Sequence, residues 1–160
     1  MGHTRLVLAV LAGLGLLAAL AWPSLHPGGK RLQDQHYRQD LVWFQQQESA
    51  ALAKYQSLRT QLEARQLSQV EFGHRLQQDI VPLWQGMIDR IAQDAVDPQS
   101  SLYESRQFLL RYSTSRRDAY TLYAKGLADG DKAALEQGKA RFAEGENLIK
   151  ERQDKNKTGH

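Results

Sequence analysis

The chain has 160 residues, no cysteine, 24% charged and 41% apolar residues, and a net charge of +3. That length holds one domain, or one domain plus an anchor. The missing cysteine excludes a disulfide scaffold, an iron–sulfur or Cys-zinc site, a c-type haem, a thiol nucleophile and a lipobox. The small charge, with no basic stripe or tail, argues against a nucleic-acid partner.

Residues 1–22 read as a membrane anchor or uncleaved signal. Leu6 to Trp22 is an uncharged apolar run preceded by Arg5. It is long for a signal-peptide core and at the short limit for a span. Trp22 suits the lipid–water interface. Ala19-Leu20-Ala21 leaves cleavage before Trp22 open as the competing reading. Lys30, Arg31 and Arg38 follow the run, and charge counting alone favours a cytoplasmic domain. A short basic N-terminus before a first apolar segment is the export arrangement, however, and long domains translocate despite their charge. The expected location is therefore the inner membrane, single-pass, with the C-terminal domain outside the cytoplasm.

Residues 23–30, with Pro23, Pro27, Gly28 and Gly29, form a breaker-rich linker. Beyond it no run alternates with period two, and helical spacing dominates. Residues 31–153 are expected to form an all-α, up-down-up-down antiparallel four-helix bundle, with a frayed polar tail at 154–160. The first helix is predicted over 31–66. Its stripe is Tyr37, Leu41, Phe44, Ala51, Tyr55, Leu58 and Leu62, and Glu48 is the charged member in register. Ser68 and Glu71 make a capping box for a second helix that runs to about Val96 before Asp97-Pro98. Its stripe is Phe72, Leu76, Ile80, Leu83, Met87 and Ile91, flanked by Trp84 and Ile88. Pro82 removes a hydrogen bond and predicts a bend near the carbonyl of Gln78. That bend either wraps the bundle or presents Trp84 as a contact surface.

A third helix is predicted from a second capping box, Ser101 with Glu104, to Gly130. Its stripe is Leu102, Leu109, Tyr112, Ala119, Tyr120, Tyr123 and Leu127. Asp131 caps a fourth helix whose inner face carries Ala134, Leu135, Gly138, Phe142, Gly145, Leu148 and Ile149. The two glycines imply close approach by aromatics of a neighbouring helix.

Four residues are out of place in this pattern. Arg116 points to the centre of the third helix's apolar stripe, and Arg106 flanks it. A buried guanidinium needs a carboxylate, and residue counting from the turns puts Asp79 and Glu48 within range. Arg116, Arg106, Asp79 and Glu48 therefore form either a buried ion-pair layer or a pocket for a small anion. Glu71-Phe72-Gly73-His74 has di-iron spacing, but no second copy exists and the capping box accounts for Glu71. His36 falls in the stalk with no expected role. Met87 and His74 share one helix, about 13 residues apart, so they cannot sandwich a haem. No serine-hydrolase or phosphate-loop motif is present. The expected function is a non-enzymatic, membrane-anchored, extracytoplasmic helical bundle without cofactor or metal, serving as a protein-interaction or envelope accessory module. The alternative is a small-anion binding or sensor-like domain with a site between helices.

Overall fold

The structure, a computed structural model, describes residues 31–94 and 96–158. The apolar segment 6–22 and the linker lie outside the described residues. Among the described residues, no helix is long and apolar enough to cross a membrane.

Four helical legs pack together. The first is α1, Arg31–Glu63. The second is built of α2, Gln69–Arg75, a π-helical turn, Leu76–Ile80, and α3, Val81–Gln93. The third is α4, Tyr103–Asp129, and the fourth is α5, Lys132–Thr158. Contacts fix the directions. His36 meets Asp94 and Lys54 meets Asp79, so α1 and the second leg are antiparallel. Arg106 reaches Ile91 and Arg117 reaches Gln85, so α3 and α4 are antiparallel. Arg116 meets Glu146 and Arg152 approaches Glu104, so α5 runs against α4.

The helix ends follow their local chemistry. α1 stops at Glu63, three residues short of the expected end. Arg65 takes a left-handed backbone (φ 58°), and Gln66 N–H turns back to Gln61 C=O at 2.8 Å. No glycine marks that stop in the sequence. The Ser68–Glu71 capping box forms as expected: Glu71 N–H donates to Ser68 Oγ at 3.2 Å, and Ser68 N–H to Glu71 Oε2 at 2.7 Å. The second expected box does not form. The Asp97-Pro98 turn brings Ser100 forward instead: its hydroxyl accepts from Leu102 N–H (3.2 Å) and its carbonyl from Tyr103 N–H (3.0 Å). Gly130 closes α4 in a left-handed conformation (φ 68°), and Asp131 accepts from Ala134 N–H at 3.1 Å. The expected frayed tail is helical as far as Thr158.

Pro82 produces a change of register. Val81 N–H donates to Leu76 C=O, the i→i+5 pattern of a π turn, and Pro82 then sits in the first turn of α3 without owing a hydrogen bond. Trp84, not Leu83, continues the buried line Phe72, Leu76, Ile80 and on to Met87 and Ile91. Trp84 is fully buried, edge-on to Tyr112 with centroids 5.7 Å apart and stacked on Tyr120 at 6.4 Å. It belongs to the aromatic centre of the core and presents no contact surface.

Candidate functional site

Two polar layers cross the bundle. The first is midway along it. Arg116 of α4 is 3% exposed, with Tyr112 one turn before it and Gly145 of α5 facing it. A Cβ on Gly145 would lie 3.4 Å from Ser115 Oγ and 3.5 Å from Arg116 Nε, ordinary packing distances, so the neighbour of this glycine is the guanidinium and not an aromatic ring. Arg116 Nη2 donates to Glu146 Oε1. Its Cζ lies 5.2 Å from the Tyr112 ring centroid and 5.8 Å from that of Phe142, so the charge is also held against two π faces. On the far side, Tyr112 O–H donates to the buried Glu48 Oε1 at 2.6 Å. The result is a chain Glu48–Tyr112–Arg116–Glu146 that reaches from α1 through α4 to α5. Burial pushes the Glu48 carboxyl above the usual range; the Tyr112 hydrogen bond and the nearby Arg116 charge oppose this.

This geometry revises the expected pairing. The direct partner of Arg116 is Glu146, which projects from α5 beside its apolar stripe. Glu48 joins only through Tyr112. Asp79 stands lower in the bundle and faces outward, with Lys54 Nζ at 3.3 Å and Arg75 Nε at 2.5 Å. The counted level is off because Arg117 meets Gln85, six residues beyond Asp79. Arg106 stands about 15 Å along α4 from Arg116, at 1.5 Å per residue. It donates to the carbonyls of Ile91 (3.1 Å) and Ala92 (2.8 Å) at the end of α3. The structure does not bring the two arginines together.

The second layer lies where α1 begins and α3 ends. His36 and Asp40 are one turn apart on α1, so they share a face. Asp94 is the residue at which the backbone leaves α3 (φ −68°, ψ 120°). Asp40 is 1% and Asp94 8% exposed, while the His36 side chain is 67% exposed. His36 Nδ1 is 3.1 Å from Asp94 Oδ1 and 3.5 Å from Asp40 Oδ2. Arg90 places Nε (2.8 Å) and Nη2 (2.6 Å) on the same Asp40 oxygen, Oδ1, while its Cζ lies 4.3 Å from the Trp43 ring centroid. Burial and then the adjacent Asp40 raise the Asp94 carboxyl, against the effect of His36. Asp40 Oδ2 and Asp94 Oδ2 are buried without a hydrogen-bond partner. Among the described residues this is the one group of three His or carboxylate donors close enough to share a metal ion. Sequence reasoning missed it. The i, i+4 pair His36/Asp40 was visible, but Asp94 joins it only through tertiary packing.

A shallow recess of about 230 Å³ between α4 and α5 is lined by Phe108, Arg111, Leu148 and Arg152, among others. It is open to solvent and mixed in charge. No known family model matches the chain, and no curated protein or solved structure is significantly similar to it.

Proposed function

We propose that the protein is a single-pass inner-membrane protein whose helical bundle lies outside the cytoplasm and works by docking another envelope protein, without catalysis. The observation that carries this reading is the short stretch of chain between the apolar segment and the first core residue of α1. Tyr37 is fully buried and donates to Ser105 Oγ at 3.3 Å, so the bundle is already locked at that residue. Residues 23–36 separate it from Trp22. Eight extended residues and six helical ones span at most about 40 Å. A span at Leu6–Trp22 therefore holds the bundle close to the lipid surface, with the starts of α1 and α4 and the ends of α3 and α5 nearest to it. Glu48, Tyr112, Arg116 and Glu146 of the central layer are linked to one another, with Arg116 Nε left without a hydrogen-bond partner, and this largely closed layer suits a rigid body that offers its outer helix faces. Val42 on α1 and Val70 on α2 are exposed large apolar side chains on those faces.

The anion-pocket alternative has less support. Arg116 is enclosed and already bonded to Glu146, and Arg106 is engaged by backbone carbonyls.

Alkaline phosphatase fused after His160 should be active and sediment with membranes. An inactive fusion reverses the orientation, and an active soluble one indicates cleavage after Ala21. A photo-crosslinking residue at Val42 or Val70 should give one discrete adduct in native membranes; monomer alone argues against docking through these faces.

A further inference from the structure

We propose that His36, Asp40 and Asp94 bind one divalent transition-metal ion of the Zn²⁺ or Mn²⁺ class, which ties the start of α1 to the end of α3. Donor spacing is the first support. Metal–nitrogen and metal–oxygen bonds of about 2.0–2.2 Å put neighbouring ligands roughly 3.0 Å apart at a right angle and 3.4 Å apart at a tetrahedral angle. His36 Nδ1 lies 3.1 Å and 3.5 Å from the two aspartate oxygens, and all three donors fall within 4.8 Å of one another.

The second support is independent of spacing. Buried carboxylate oxygens without partners are costly, and this cluster has two, Asp40 Oδ2 and Asp94 Oδ2. The His36 Nδ1–H can satisfy one acceptor at a time. Arg90 does not help, because both of its contacts fall on Asp40 Oδ1. That grip leaves Oδ2 available on the side where His36 and Asp94 stand. Arg90 also offsets only one of the two carboxylate charges, so a dication meets a net attractive site. Exposed His36 gives an entry path, and three protein donors leave the remaining positions to water. The imidazole favours zinc over magnesium or calcium, which prefer all-oxygen shells, and the two carboxylates suit manganese as well.

The site is separate from the docking reading and is tested separately. Full-length protein in detergent is stripped with chelator, then melted with and without ZnCl₂ or MnCl₂. At about a hundredfold excess over Kd the midpoint should rise by roughly 5–10 °C. Bound Co²⁺ should give visible absorption from an ordered site. His36→Gln changes an exposed side chain and leaves the fold intact, so it should weaken binding more than tenfold and remove the Co²⁺ spectrum. Asp94→Asn should do the same. If no ion moves the midpoint, or if His36→Gln binds as tightly as the parent, the site is wrong. In the second case the ion sits on another histidine.

Discussion

The seam between α4 and α5 and the face where α1 meets the rest are built on opposite principles. At the seam the backbones touch. A Cβ on Gly138 would lie 2.9 Å from Tyr123 N and 3.2 Å from Ala119 O, closer than packed atoms allow. Along α1 the contacts run through the far ends of long side chains: Tyr37 to Ser105, Glu48 to Tyr112, and the Tyr55 ring 5.4 Å from that of Tyr120. The seam is specified by atoms that are missing. The α1 face is specified by hydrogen bonds and ring geometry at a distance. Errors in the first are steric; errors in the second leave a polar group unpaired.

Arg116 belongs to both regions, and the largest effect is expected there. Arg116→Ala removes a buried cation, its packing under two rings and the charge that faces Glu48. The expected loss is about 3–5 kcal/mol, the range for breaking a buried pair. Arg116→Met combined with Glu146→Gln should recover much of it, because a buried pair replaced as a unit leaves no stranded charge. Denaturant unfolding of the single and double variants should show coupling between Arg116 and Glu146 and none between Arg116 and Asp79. Coupling to Asp79 would mean that the level of the second leg is misread.

The seam comes next. Gly138→Ala forces two backbones apart and should cost about 1–3 kcal/mol, the range for overpacking. The melting midpoint reads it directly. A neutral result would show that α5 slides on α4 and that the close approach is not required.

The stripes of α1 and α5 were legible because both helices keep a regular period. Every expected member on α1 from Tyr37 to Leu62 is buried or half-buried. The second leg was legible in its buried stripe except at one step, where Trp84 takes the place expected for Leu83. Pro82 predicts a disturbance, yet whether the helix bends or gains a residue depends on how Trp84 packs, and that is a tertiary matter. Arg116 was legible as an inward cation because its angle on α4 follows from sequence. Its partner was not, because Glu146 lies outside the apolar stripe and its level depends on loop geometry. Asp94 was hidden for the same reason.

Glu48 gives a pH-dependent way to sharpen the contrast. Its carboxyl titrates above the usual range in the folded state, so the folded protein holds this proton more tightly than the unfolded chain does. This group's contribution is then fullest below the ordinary carboxylate pKa and is lost as pH rises through the folded value. Glu48→Gln keeps an acceptor for Tyr112 O–H and removes the buried charge. The difference in stability between variant and parent should grow in the variant's favour from about pH 4 to about pH 7. A flat difference would mean that Arg116 already neutralises Glu48 in full.

The smallest effect tests the seam from the other side. Gly86 is an exposed glycine inside α3, and a Cβ added there would meet nothing within 4 Å. It carries the entropic cost of glycine in a helix with no packing to compensate. Gly86→Ala should therefore stabilise the protein by about 0.5–1 kcal/mol. The same chemical change has opposite signs at Gly86 and Gly138 because the surroundings differ, not the residue. If both positions lose stability, the exposed face of α3 is covered by something that needs the glycine's space, and a docking surface would lie there.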